Sequence, residues 1–169
     1  MSAQRGFACI GLDQPQKSSN VGAVLRAAYC YGVAQINIAG CNARDLRAAT
    51  NTPKAHRHIP TFIVSDPLAY IPHGTQVVAV DLVDGAMPLP NFCHPQRAIY
   101  VFGAENDTLS QGVLGRSHHR VMVPTITCMN LAAAVNVVLY DRMAKGSPFN
   151  CAYPTVKSGK SYIRQEALA

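Results

Sequence analysis

Three short segments carry the polar side chains best spaced to do chemistry: Asn20-Val-Gly-Ala-Val-Leu-Arg26, Phe102-Gly-Ala-Glu105, and Val123-Pro124-Thr-Ile-Thr-Cys128-Met129-Asn130. Arg26 is a cation at any physiological pH, so it suits an anionic partner better than a proton transfer. At 100° per residue it lies about 140° from Val21, off the apolar stripe of its helix. Gly22, one turn earlier, leaves room for a ligand or for another stretch of backbone; a solvated surface arginine would fit the same pattern. Glu105 follows the apolar run Ala98–Phe102, which puts it at the carboxyl end of a strand, where open α/β sheets bind ligands. Gly103 lets the chain turn sharply or approach a ligand closely. Glu105 could equally cap a short helix over Leu109–Leu114. Asn130 stands between a loop of small polar residues and an apolar helix, the place of an N-cap.

The elements that must position these groups follow from hydrophobic spacing. Phe7–Leu12 reads as a strand. Val21, Val24, Leu25, Ala28 and Tyr29 fall on one helical face, with Ser18, Ser19 and Asn20 as start signals and Gly32 as a stop. Gln35–Ala39, Thr61–Val64, Gln76–Val80, Ala98–Phe102 and Arg120–Val123 read as further strands, and Ala43–Ala49 as a short helix. Asn130–Ala144 is a helix whose Leu131, Ala134, Val135, Val138, Leu139 and Arg142 trace one face. Ala132, Ala133 and Val137 make it apolar almost all round, so it must be covered on more than one side, and a subunit interface is a natural cover. The alternation of strands and helices predicts an α/β domain with a mostly parallel sheet and helices on both faces.

Composition narrows the class. Of 169 residues, 49% are apolar and 14% charged, which excludes a disordered chain and a coiled coil. The net charge of +6 permits an acidic partner such as nucleic acid without requiring one. None of the six cysteines has C-x-x-C spacing, and no stretch of about 18 apolar residues occurs. The reading is therefore a cytoplasmic protein with reduced thiols, without a signal peptide or membrane span. Several nucleotide and catalytic motifs fail. No G-x-G-x-x-G follows a strand and no G-x-S-x-G occurs. Ser158-Gly-Lys160-Ser161 has Pro154 where a phosphate loop needs its first glycine. His56-Arg57-His58 and His118-His119 lack i, i+4 spacing, so no metal is expected.

Taken in order, the three segments resemble the SPOUT class of methyltransferases, and within it the TrmH (SpoU-type) family of RNA ribose 2′-O-methyltransferases. That family pairs N-x-G-x-x-x-R with F-G-x-E and I-P…S-L-N-[VL]; here they stand as Asn20…Arg26, Phe102…Glu105 and Val123-Pro124…Cys128-Met129-Asn130-Leu131. The match runs over roughly Phe7 to Arg142. Ala79-Val-Asp-Leu before Pro88-Leu-Pro also looks like the family's inner strand and loop. The resemblance implies a parallel sheet with a C-terminal deep trefoil knot (the SPOUT or α/β knot), S-adenosylmethionine held bent in that knot, and a homodimer. It assigns residues 1–145 to the methyltransferase domain and 146–169 to a basic tail.

Roles carry over by position. Arg26, Asn20, Glu105 and Asn130 match the catalytic set, with Arg26 at the target ribose. Holding the adjacent phosphate and steadying the developing alkoxide suits a guanidinium better than abstracting the proton. Val80, Gly103, Val123, Cys128 and Met129 fall where the family cradles the methyl donor, largely through backbone groups. Cys128 replaces a serine, and Asn106-Asp107-Thr108 replace small residues. Lys54 and Arg57, with Arg26, are the candidate RNA contacts, beside Arg44, Arg47 and the tail's Lys157, Lys160 and Arg164. The expected substrate is a structured RNA, tRNA ahead of rRNA. Three other readings stand beside it: a SPOUT base methyltransferase, a SPOUT-fold RNA-binding module that has lost catalysis, and an unrelated flavodoxin-shaped nucleotide-binding protein.

Overall fold

Seven strands form one sheet in the order β3-β2-β1-β6-β4-β7-β5, and every pairing is parallel. The computed structural model describes residues 6–104 and 107–146. The strands are β1 (Phe7–Asp13), β2 (Gln35–Ala39), β3 (Thr61–Val64), β4 (Gln76–Val80), β5 (Met87–Pro88), β6 (Arg97–Phe102) and β7 (His119–Met122). Those at the centre are buried on both faces, so β1, β4 and β6 read as near-continuous apolar runs rather than alternating ones. Val80 pairs with Phe102 and also with Val121, which brings the carboxyl ends of β4, β6 and β7 side by side.

Each face of the sheet has its own core. On one face Ile10, Leu12, Ile36, Ile38, Val78, Val80, Tyr100 and Phe102 pack under the helices α1 (Ser18–Cys30) and α3 (Leu131–Gly146). On the other, Cys9, Val77, Ala79, Ile99 and Val101 pack under Leu68, Leu109 and the short helix α2 (Gln111–Leu114). The doubly covered parallel sheet is the predicted class.

Local details depart from the sequence reading in four places. The start of α1 is capped by Lys17 without a side-chain bond, so Ser18, Ser19 and Asn20 lie inside the helix. Gly32, at φ +66°, ends it as predicted. Tyr29 is 45% exposed, and Ala27 fills the buried stripe instead. Ala43–Ala49 contributes a single 3-10 turn, Asp45–Arg47. The two-residue strand β5 went unseen because Pro88 and its brevity leave no periodicity to read.

Gly22 serves another backbone. A Cβ there would overlap Thr50 Oγ1 and stand 2.8 Å from Ala48 Cβ and 3.0 Å from the Asn51 amide. The 48–51 segment is thus pressed onto α1, and Thr50 Oγ1 donates to the Ser19 carbonyl at 2.7 Å. Gly22→Ala is expected to destabilise the fold by about 1–3 kcal/mol through overpacking, read as a lowered urea midpoint.

A polar lock holds the end of α3. Arg142 donates to the carbonyls of Pro95 and Gln96 and, at 2.9 Å, to the Tyr100 hydroxyl. Arg142 has only donors, so the hydroxyl gives its own proton to His94 Nδ1 at 2.7 Å, and Nε2–H gives to Asp141 at 2.8 Å. Lys145 also pairs with Asp141. The His94 side chain is 2% exposed. Burial holds its pKa below the ordinary imidazole value, with Arg142 and Lys145 acting the same way and Asp141 opposing them. As pH falls, the unfolded chain therefore takes up this proton first. Stability is full above about pH 6.5 and drops as pH falls from there through the folded pKa. Denaturant midpoints should fall between pH 7.5 and pH 5, and His94→Gln should flatten part of that slope. His56, also lowered, supplies another part.

Candidate active site

At the carboxyl ends of β4, β6 and β7 lies a cavity of about 540 Å³. Its walls are the ends of those strands and the segments that leave them: Val80 to Leu82, Phe102 to Ala104 with Asp107 and Thr108, and Val123, Thr125, Cys128 and Met129. Leu131 and Ala134 of α3 close the base. The structure brings together all five residues assigned to donor binding: Val80, Gly103, Val123, Cys128 and Met129. Gly103 is needed for close approach, because a Cβ there would stand 3.3 Å from the Asp107 carbonyl and 3.3 Å from the Leu109 amide.

Asn20 and Asn130 also meet. Asn130 Nδ2 donates to Asn20 Oδ1 at 3.1 Å, while Asn130 Oδ1 accepts from the Ala132 amide at 3.0 Å. Asn130 is thus the N-cap that the sequence predicts for the last helix, and its amide group also joins that helix to the buried Asn20 of α1. The bond ties the first motif to the third beside the Met129 and Leu131 walls.

Arg26 stands elsewhere. It is exposed on α1, six residues or roughly 9 Å along the axis from Asn20, and does not line the cavity. It borders a separate depression with Ala23, Ala27, Cys30, Thr50 and Asn136. Around this face Tyr29, Val137 and Tyr140 are 45%, 37% and 55% exposed. α3 is apolar almost all round, as its sequence indicates, and among the described residues only one side of it is covered. Lys54 and Arg57 are exposed at a 3-10 turn against α1. His56, bonded to Asn51, has its pKa lowered first by burial and then by Arg57, Arg47, Lys54 and His58. Arg57, Arg47 and Lys54 thus place positive charge around His56. Glu105 lies outside the described residues, as do Asn106, Lys157, Lys160 and Arg164. Among the described residues, no group of three or more His, Cys, Asp or Glu could hold a metal, and no helix is long and apolar enough to cross a membrane.

Among the described residues, two carboxylates line the cavity to which sequence reasoning gave no role, Asp81 and Asp107. Asp81 was quoted within Ala79-Val-Asp-Leu. Its place directly after a strand was the available signal.

The model of the SpoU rRNA Methylase family matches residues 8–140, and the chain belongs to that family. No curated protein matches the sequence. Among solved structures, the fold is similar to the SpoU methyltransferase AviRb from Streptomyces viridochromogenes in complex with AdoMet: TM-score 0.70 at 20% identity, over 82% of this chain and 57% of that one. It is similar to the A. aeolicus TrmH/SpoU tRNA modifying enzyme, with TM-score 0.70 at 19% identity over 85% and 78% of the two chains. It also resembles a protein whose structure bears on 2-OH methylation of C/U34 on tRNA, with TM-score 0.68 at 22% identity over 85% and 93%. The chain therefore spans little more than half of AviRb and most of the tRNA-directed protein.

Proposed function

We propose that this chain is an S-adenosylmethionine-dependent methyltransferase that modifies a ribose 2′-hydroxyl of structured RNA, tRNA ahead of rRNA. One observation carries the reading: five donor-binding positions, spread over three separate segments of sequence, converge on a single cavity at the strand ends. Its volume lies within the roughly 300–1,000 Å³ of small-molecule sites. Strand-end backbone, the apolar side chains of Val80, Val123 and Met129, and the carboxylate of Asp107 suit a ligand with a flat nucleoside and a positive charge. The sulfonium supplies the methyl group as an activated electrophile, so the protein's tasks are orientation and exclusion of water. The similarity to a structure bearing on 2-OH methylation of C/U34 on tRNA, which this chain nearly spans, supports ribose and tRNA, while the description of the matching family names rRNA.

The reading includes a homodimer paired through the α1/α3 face, which would cover Tyr29, Val137 and Tyr140. Because Arg26 stands on that face and outside its own chain's cavity, its guanidinium serves the site of the partner copy, binding the phosphate next to the target ribose and steadying the alkoxide. Lys54 and Arg57 position RNA through phosphates without selecting sequence. The trefoil knot of the SPOUT fold, with the cavity walls as its loops, belongs to the same reading. So does the division into a domain over 1–145 and a basic tail over 146–169. A cytoplasmic setting agrees with the free thiols of Cys9, Cys30, Cys41, Cys93 and Cys128.

The test is tritium transfer from labelled S-adenosylmethionine to total tRNA and rRNA, followed by nuclease mapping. Label in an alkali-resistant dinucleotide of tRNA is the expected result. Label on a base would instead identify a base methyltransferase. Donor binding by calorimetry without transfer to either RNA would identify a module that has lost catalysis.

A further inference from the structure

The chain that leaves β6 returns to the sheet at Leu109 and Ser110, and two carboxylates catch it there. Asp81 Oδ2 accepts from the Leu109 amide at 2.8 Å, and Asp13 Oδ2 accepts from the Ser110 amide at 3.0 Å. The two acids come from opposite sides: Asp13 ends β1 and Asp81 follows β4, and in the sheet these strands flank β6. Consecutive amides are thus gripped from left and right of the strand that launched the segment. Asp13 is 7% exposed and Leu109 is 2% exposed, so the grip sits in the wall and not on the surface. Asp81 has two more attachments. Its Oδ1 accepts from the Leu82 amide at 2.7 Å, and its own amide donates to the Val121 carbonyl at 3.0 Å. One residue therefore joins the ends of β4 and β7 to the segment after β6, the three walls of the cavity.

We propose that Asp81 and Asp13 are positioning residues for the methyl donor: they hold the 107–110 wall in its binding shape before the donor arrives. The proposal rests on the donor-binding reading above. Asp107 and Thr108 line the cavity immediately before the gripped pair, and the backbone of Asp107 and Leu109 lies against Gly103. If Leu109 is released, both sides of that wall lose their reference point. Hydrogen bonds to a charged acceptor are the stronger kind, and a wall ordered in advance spares the donor the loss of freedom on binding. Neither acid need touch the donor.

The experiment combines amide exchange by NMR with calorimetry, using S-adenosylmethionine as the probe on the full chain. In Asp81→Ala the Leu109 amide should exchange at least about tenfold faster, and donor Kd should rise at least about tenfold. Asp81→Asn offers one carbonyl oxygen where wild type has two acceptors, so only one of the Leu109 and Leu82 amides keeps its bond, and Leu109 protection and donor Kd should lie between those of wild type and Asp81→Ala. Asp13→Ala should produce the same pair of changes centred on Ser110, which keeps the proposal testable if Asp81→Ala does not fold. Wild-type binding with unchanged Kd in the alanine variants overturns the proposal, as does unchanged exchange at Leu109 and Ser110. Absence of heat in the wild type defeats the methyltransferase reading itself, and is told apart by appearing before any substitution is made.

Discussion

Arg26→Ala is expected to lower methyl transfer to RNA by at least about a hundredfold while leaving donor affinity within about twofold, because in the proposed reading it removes a cation aimed at charge that develops only in the transition state. The split follows from geometry. Arg26 is exposed and absent from the cavity of its own chain, so nothing in the donor's surroundings changes when it is truncated. Arg26→Lys should recover only part of the rate, since an ammonium keeps the charge and loses the planar fork that grips a phosphate. The proposed placement of Arg26 at a partner's site predicts a sharper result. Mixing Arg26→Ala with a variant defective in donor binding should restore activity, because a two-fold mixed dimer holds one intact site, roughly a quarter of all sites in a random mixture. Steady-state transfer of labelled methyl groups reads both effects. No recovery on mixing would mean that Arg26 acts within its own chain or not at all.

The donor-defective partner for that mixture is Gly103→Val. A single Cβ at this position already presses on the Asp107 carbonyl and the Leu109 amide, each at 3.3 Å, and a branched side chain must displace one of them. Overpacking of about 1–3 kcal/mol, expressed in the cavity wall, converts to a loss of donor affinity of about fivefold to 150-fold. Calorimetry with S-adenosylmethionine measures it. Most of the fold should survive, because Gly103 lies beyond the last residue of β6 and the buried strand itself is untouched.

The elements were legible where one physical pattern dominated. β2, β3 and β4 are apolar runs bounded by turn residues, and their limits agree with the sequence reading. Asn130 was legible as a cap because a side-chain acceptor ahead of an apolar helix has one obvious use. The strand order was not legible. It depends on which apolar runs pair across long stretches of chain, and periodicity is silent about that. The same is true of the site. The three motifs identify which residues belong together, but the bond between Asn20 and Asn130 and the separation of Arg26 from the cavity are facts of packing. Asp81 and Asp13 escaped notice because an acid after a strand looks like an ordinary surface residue until its partners, here the amides of Leu109 and Ser110, are seen.

The order of the strands also bears on how the chain is made. β1 is made before the other strands of the sheet, yet its inner neighbour is β6, with Phe7 opposite Arg97. Until that distant strand is synthesised, β1 offers a bare row of amides and carbonyls flanked by Cys9, Ile10 and Leu12, residues that end up fully or almost fully buried. Contacts so remote in sequence form slowly. The nascent chain therefore spends its most adhesive interval with the middle of its sheet unfinished, the stage at which a chaperone has most to shield.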